Sequence, residues 1–486
     1  MTILKNKLSI WKLIILATAL LLAWGGVSCK KKPTGADGGF TLTKPDDKDR
    51  VIGGSDGMLP ADQVGNYNNE MLNIRTIANS MDGVAYYRSP VVVPYNGNKG
   101  FAMFLEKRYG AGGVDDVGVD GNAKVDIICF ANNKGGNGLK YADGDEAIIG
   151  SSAKNDFTKS KASPVVFVNG DKITVVAASG SGAMPENNGL KSEVKIITGT
   201  AGADAITWSG DWADLNISYS GKSGSEAIKA YVKEKVNAKY NSIYTRWGQG
   251  KVDNQKFVLP LTLIQKNGTV NVTQGLLILY SEDGGTSWKF GPSHDFDQQT
   301  YKIATGLSVS GNSIRLAAVP AVARTTTPKP IGIYTATLED ASTAKKGITE
   351  VGKSTFLDSE NNFEIAKGSD ASYFINTRNR TGQYMNGFVI NEQLTLAVLK
   401  NADNLEEDYY MTMAKAAGNG SVVVLADGTI VTLAEEAFSE DSKAGENRFN
   451  VVQRRFTKGY VDARKTDNGS KILKAEEFYN PQLGGL

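Results

Sequence analysis

The chain has 486 residues, and its 54 Lys and Arg against 52 Asp and Glu leave a net charge of only +2. So even a balance offers no basic field to nucleic acid, and no nucleic-acid partner is expected. The single histidine, His294, excludes a multi-histidine metal site and any Ser-His-Asp triad that does not use it.

Residues 1–28 read as a lipoprotein signal peptide. Lys5 and Lys7 form a basic start, and Ile14 to Trp24 is an apolar run too short for a membrane span. Gly26-Val27-Ser28 then places small residues before Cys29, which resembles a bacterial lipobox, with Gly26 where leucine is usual. Cleavage there makes Cys29 the acylated first residue of the mature chain; a plain secretory cut nearby is the alternative. A lipid anchor of this kind implies attachment to the membrane in the bacterial cell envelope, at the outer-membrane surface or in the periplasm. Residues 29–56 begin Lys30-Lys31-Lys32-Pro33 and are polar and glycine-rich. They cannot bury enough apolar surface to fold and read as a flexible tether.

The remainder, residues 57–486, reads as one all-β unit. Fifty-four glycines beside 13 prolines, among aromatic and β-branched runs, favour many short strands joined by turns. The clearest runs are Val91–Pro94, Gly100–Leu105, Val165–Val168, Ile173–Ala177, Val258–Ile264, Ser313–Val319 and Val422–Leu433. Asn169-Gly170, Gly311-Asn312 and Asp427-Gly428 read as hairpin turns. Cys129 stands in the strand-like run Val125–Phe130 and reads as a small buried apolar residue; with Cys29 acylated it has no partner for a disulfide. Ser220-Gly221-Lys222-Ser223 lacks the earlier glycine of a phosphate loop, since Asn216 stands there. From Ser225 to Lys239, Ala227, Ile228, Tyr231, Val232 and Val236 recur at helical spacing, so an amphipathic helix is predicted as an insertion at about 225–240. Leu276–Tyr280 is a buried strand, and His294 falls in a polar loop, Pro292–Asp295, facing solvent.

After Leu276–Tyr280 comes Ser281-Glu282-Asp283-Gly284-Gly285-Thr286-Ser287-Trp288. Asp283 can accept backbone N–H groups two or three residues on, the glycines can take positive φ, and Trp288 can fold back as an apolar plug. The octet resembles the Asp-box of the sialidase (neuraminidase) superfamily. That resemblance extends over most of residues 75–460 and implies a six-bladed β-propeller with the helix inserted on its surface. In it Ser281, Asp283, Gly285 and Trp288 are structural and do no chemistry.

The chemistry implied by the resemblance begins at Tyr87-Arg88-Ser89-Pro90, which resembles the family's Arg-Ile-Pro motif. Sialic acid carries a carboxylate on its anomeric carbon, and a guanidinium grips a carboxylate through two parallel hydrogen bonds. Arg88 is thereby implied as one member of an arginine triad. Gly100–Tyr109 looks like the strand ending in an acidic–basic pair, followed by a glycine-rich loop. That loop carries the acid/base aspartate: Asp120 by spacing, then Asp116, then Asp115. A carboxylate nucleophile would be repelled by the substrate's own charge, so the family attacks with tyrosine, aided by a glutamate. Glu360 and Arg378 match the hairpin in which a glutamate opens one strand and Asn-Thr-Arg closes the next. Tyr410, beside Tyr409, resembles the start of the last blade, although strict alignment of the hairpin around Asp427-Gly428 puts the tyrosine near Gly420. In a second register Arg378 is the third arginine, Arg324 the second, and the glutamate falls near Gln298. Ala162-Ser163-Pro164 stands where the family often has Asp-Pro against the sugar.

The resemblance thus implies an exo-sialidase, a glycoside hydrolase that releases terminal sialic acid from host glycoproteins or glycolipids through a tyrosine nucleophile, with no metal or organic cofactor. Transglycosylation is not separable from hydrolysis on these residues. The alternative is a non-catalytic Asp-box propeller that binds sialylated glycans or a host protein. Arg88 and Arg378 without an inward tyrosine favour that alternative.

Overall fold

The computed structural model describes residues 71–79, 85–95, 97–98, 100–109, 124–131, 147–184, 190–202, 206–267, 270–295, 301–320, 330–338, 347–357, 363–379, 384–385, 388–389, 392–414, 417–437 and 449–465. Six antiparallel sheets form the blades of a β-propeller. β1 (Met71–Asn79) comes first in the chain but belongs to the last blade. Blade 1 is β2 (Ala85–Tyr95), β3 (Gly100–Tyr109), β4 (Lys124–Ala131) and β5 (Ala147–Ile148). Blade 2 is β6 (Lys161–Asn169), β7 (Lys172–Ser179) and β8 (Glu193–Ala201), with β9 (Ile206–Trp208) and β10 (Ala213–Asp214) both paired to β8. A ribbon, β11 (Ser218–Tyr219) and β12 (Lys222–Ser223), leads into helix α1 (Gly224–Tyr231).

The inner strand of blade 3 is split. β13 (Ser242–Tyr244) and β15 (Lys251–Asp253) both pair with β16 (Lys256–Asn267), whereas β14 (Gly248–Gln249), between them, pairs in parallel with β6 of blade 2. β17 (Val270–Ser281) and β18 (Lys289–Asp295) complete blade 3. Blade 4 is β19 (Tyr301–Ser310), β20 (Ser313–Pro320), β21 (Pro330–Thr337) and β22 (Ile348–Leu357). Blade 5 is β23 (Glu364–Lys367), β24 (Ser372–Asn379), β27 (Glu392–Asn401) and β28 (Glu406–Ala414), with a ribbon of β25 (Tyr384–Met385) and β26 (Phe388–Val389). Blade 6 is β29 (Ala417–Val424), β30 (Ile430–Ala437) and β31 (Phe449–Phe456), and helix α2 (Lys458–Ala463) follows. β1 pairs with β31, so the first strand completes the last blade and closes the ring.

Six large apolar clusters hold the ring together, one at each blade interface. Alternation along a strand sends successive side chains to the two neighbouring blades. In β2, Val91 and Val93 enter the cluster shared with blade 2, and Val92 the cluster shared with blade 6. Both faces being covered, the inner strands read as the unbroken runs Val91–Val93 and Val422–Val424.

The predicted helix is shorter than its periodic pattern. α1 is followed by one π-helical turn, Val232–Val236, and the chain is extended by Asn237. Ala227, Ile228, Tyr231 and Val232 are buried, and Tyr231 stacks on Phe290 with ring centroids 4.0 Å apart. Ser220 and Gly221, both at positive φ, form the turn of the β11–β12 ribbon rather than a phosphate loop. His294 lies on the edge strand β18, half-buried opposite Tyr334, where a solvent-facing loop was expected; burial holds its pKa below the ordinary value. Cys129 is buried between blades 1 and 2, and burial pushes its thiol pKa up.

The octet after β17 forms a tight turn. The Ser281 hydroxyl donates to Asp283 at 2.7 Å and accepts from the Gly285 N–H at 2.8 Å. Asp283 takes the backbone N–H of Ser287, four residues on, at 2.8 Å and its hydroxyl at 2.5 Å. Some burial opposes its charge, but these bonds bring its pKa down to about 2. Trp288 is buried edge-on to Phe167 of blade 2, which stacks on Phe257 of blade 3. The turn thereby ties two blades together.

Candidate functional site

Each blade runs from its inner strand outward, so the inner strands line the axis and their N-terminal ends gather at one mouth. Two of these strands start in the same unusual way. Arg88-Ser89-Pro90-Val91 in β2 and Ala162-Ser163-Pro164-Val165 in β6 both contain a β-bulge. Ser89 and Ser163 take φ of 56° and 55°, a strained conformation before proline. Each is held by a buried glutamate on the second strand of the preceding blade. The Ser89 N–H donates to Glu435 of β30 at 2.7 Å, and the Ser163 N–H to Glu106 of β3 at 2.6 Å.

Each of these glutamates also carries an arginine. Glu435 pairs with Nε of Arg88 at 2.9 Å and accepts the backbone N–H and side-chain amide of Asn419 at 3.1 and 3.0 Å. Burial opposes its charge, yet Arg88 and these bonds hold its pKa below the ordinary glutamate value. Glu106 pairs with Nε and Nη2 of Arg108, two residues along its own strand, at 2.7 and 2.5 Å. A third basic group, Lys161, begins β6 beneath the ring of Trp212; burial brings its pKa down to about 8, against the pull of Asp211. The mouth between blades 6, 1 and 2 is therefore a set of fixed guanidinium and carboxylate groups, suited to orienting an anion.

One level deeper, polar groups from four blades close the axis. Glu364, at the start of β23, accepts from the Ser421 hydroxyl of β29 at 2.6 Å and from the backbone N–H of Gln249 in β14. The Gln249 side chain donates to the carbonyls of Val92 at 2.9 Å and Val422 at 2.6 Å. Burial raises the pKa of Glu364, opposed by the charge of Lys251 and by its hydrogen bonds.

The structure separates the sequence-predicted residues. Arg88 is at the mouth. Cys29, Asp115, Asp116, Asp120, Gln298, Arg324 and Glu360 lie outside the described residues. Arg378 is near the end of β24, the second strand of blade 5. Glu364, rather than Glu360, opens the strand whose hairpin partner ends in Asn376-Thr377-Arg378.

Tyr409 and Tyr410 were expected at the start of the last blade. They stand on β28, the outermost strand of blade 5, paired with Val398 and Ala397. Tyr410 packs on the core between blades 4 and 5, and the Tyr409 hydroxyl donates to Asp462 of α2. The strand that does begin blade 6 reads Ala417-Gly418-Asn419-Gly420-Ser421 and has no tyrosine. Gly420 is packed against Ile375 and Leu394, and a Cβ at Gly418 would strike the Glu435 carboxylate. Glu435, Glu364, Gln249 and Asn419 were missed from sequence; the repeated Ser-Pro-Val-Val was the available signal.

No family model and no curated protein matches the chain. Among solved structures it resembles a protein of unknown function from Dyadobacter fermentans, at 12% identity and TM-score 0.50, over 79% of this chain and 99% of that one. It also resembles a Trypanosoma rangeli sialidase mutant displaying trans-sialidase activity, at 16% identity and TM-score 0.47, covering 79% of this chain. The chain spans only 57% of that sialidase's length. The intramolecular trans-sialidase from Ruminococcus gnavus is similar at 11% identity and TM-score 0.45, over 81% and 97% of the two chains. At these identities the likeness bears on the fold alone.

Proposed function

We propose that this protein is an envelope-anchored propeller that binds sialylated glycans at the axial mouth and does not cleave them. The observation that carries the reading is the pairing of a fixed Arg88 with an inner strand of blade 6 that has no tyrosine, while Tyr409 and Tyr410 are held on an outer strand. Arg88 is oriented by Glu435 for a planar anion, and Arg378 follows on blade 5. With Arg378 as the third arginine, the nucleophile and base positions fall near Gly420 and Gln298, neither of which can attack or take a proton. Attachment through Cys29 would present the mouth to host glycoproteins or glycolipids at the membrane surface.

A hydrolytic exo-sialidase is the second reading. It is favoured by Glu364, a buried carboxylate under the mouth that opens the strand preceding Asn-Thr-Arg. It requires a nucleophile other than Tyr409 or Tyr410.

The test uses soluble protein from about Gly39 onward, with 3′-sialyllactose and lactose in calorimetry and a fluorogenic sialoside in a release assay. Binding of the sialylated sugar alone, lost in Arg88→Ala and without release, supports recognition. Release of the fluorophore by the parent, abolished in Arg88→Ala, overturns it in favour of the hydrolase.

A further inference from the structure

Below the mouth, the inner strand of blade 3 carries a lysine between two blades. The Gly250 N–H donates to the carbonyl of Val166 of blade 2 at 2.7 Å, and Lys251 then pairs with Val258 of β16. Val252 packs on the core between blades 2 and 3, so alternation turns Lys251 the other way, to the inner strand of blade 4. That strand makes room for it. β19 is irregular on both sides of Gly306, and a Cβ there would stand 3.0 Å from Cγ of Lys251. Gly306 is not at positive φ, so its backbone does not require glycine; the space beside the lysine does.

Among the described residues, the Lys251 ammonium has no hydrogen-bond or ion-pair partner. The residue is half-buried, yet burial lowers its pKa, so its open surface faces an enclosed space rather than bulk water. Glu364 is the charge that acts on it, and it acts through space, with no bond between the two. Both Glu364 oxygens are already taken, one by the backbone N–H of Gln249 and the other by the Ser421 hydroxyl at 2.6 Å. Burial also favours the neutral acid at Glu364. An enclosed ammonium with three unmet donors is costly unless an acceptor reaches it. Water meets the donors and leaves the charge uncompensated, whereas an anion answers both. The space is narrow, because the Gln249 side chain, two residues before, already bridges to Val92 of blade 1 and Val422 of blade 6.

We propose that Lys251 holds a small inorganic anion of the chloride type inside the ring, below the mouth and between the inner strands of blades 3 and 4. The site is structural, distinct from the surface that receives the glycan, and the inference does not depend on the glycan-binding reading. It accounts for a lysine placed within the ring without a protein partner, and for the glycine that faces its stem.

The experiment is urea unfolding of the full chain at fixed ionic strength, with chloride exchanged for gluconate, which is too large for the site. Binding of one anion to the folded state alone should lower the unfolding constant as chloride rises, approaching tenfold for each tenfold increase. Lys251→Met should abolish that dependence, and Gly306→Ala, which keeps the ammonium but presses on its stem, should reduce it. Diffraction from a crystal soaked in bromide should show an anomalous peak beside Nζ of Lys251. An unfolding constant indifferent to chloride in the parent means that water alone meets the ammonium, and overturns the proposal. So does an equal dependence in the parent and Lys251→Met, or a bromide signal confined to the outer surface, which would be an adventitious ion only.

Discussion

Glu435 is the residue on which the mouth depends most, and its removal gives the sharpest test of the structure. Its two oxygens are fully buried and take donors from Arg88, Ser89 and Asn419. Alanine there leaves a guanidinium charge and two backbone N–H groups without their buried acceptor. Breaking a buried ion pair from one side costs about 3–5 kcal/mol. Glutamine keeps the volume and one acceptor but loses the charge, for an expected cost of about 2 kcal/mol. The assay is urea unfolding across pH, read as the difference between parent and Glu435→Gln. The folded pKa of Glu435 is depressed, so its contribution is complete above the unfolded value of about 4.3 and is lost as pH falls through the folded value. The gap should be constant from about pH 8 to about pH 5 and should narrow only in stronger acid. A gap below about 1 kcal/mol at neutral pH, or one that widens on acidification, would refute the buried-pair argument.

Glu364 should behave with the opposite sign. Burial raises its folded pKa, so its contribution is present below about 4.3 and is lost as pH rises through the folded value; Glu364→Gln should remove that decline in a pH series of unfolding curves. Tyr410→Phe should leave sugar binding unchanged, and Tyr409→Phe should cost about 1 kcal/mol of stability through the lost bond to Asp462, with no effect on affinity in calorimetry. Trp288→Ala should destabilise by about 3–5 kcal/mol in urea, since it empties a packed site between blades 2 and 3 without touching the mouth. Gly418→Ala should weaken binding of 3′-sialyllactose, because its methyl group must displace the Glu435 carboxylate that orients Arg88.

Strands, hairpin turns and the tight turn after β17 were legible in the sequence because their causes are local. Val91–Val93 and Val422–Val424 are unbroken apolar runs because an inner strand is covered on both faces, and Asp427-Gly428 turns the chain whatever surrounds it. The octet Ser281–Trp288 is shaped at its centre by bonds among its own residues Ser281, Asp283, Gly285 and Ser287, so its pattern survives in sequence. The tertiary structure alone decided which groups meet. Glu435 is separated from Ser89 by 346 positions and Gln249 from Val422 by 173, and only ring closure brings them together. It also decided that Tyr409 and Tyr410 end blade 5 instead of starting blade 6. A strand's own pattern reports which faces are covered, but its place in the ring depends on pairing with β27 and on β1 completing the last blade. That is a long-range choice, made by the burial of six interfaces together, and no short motif records it.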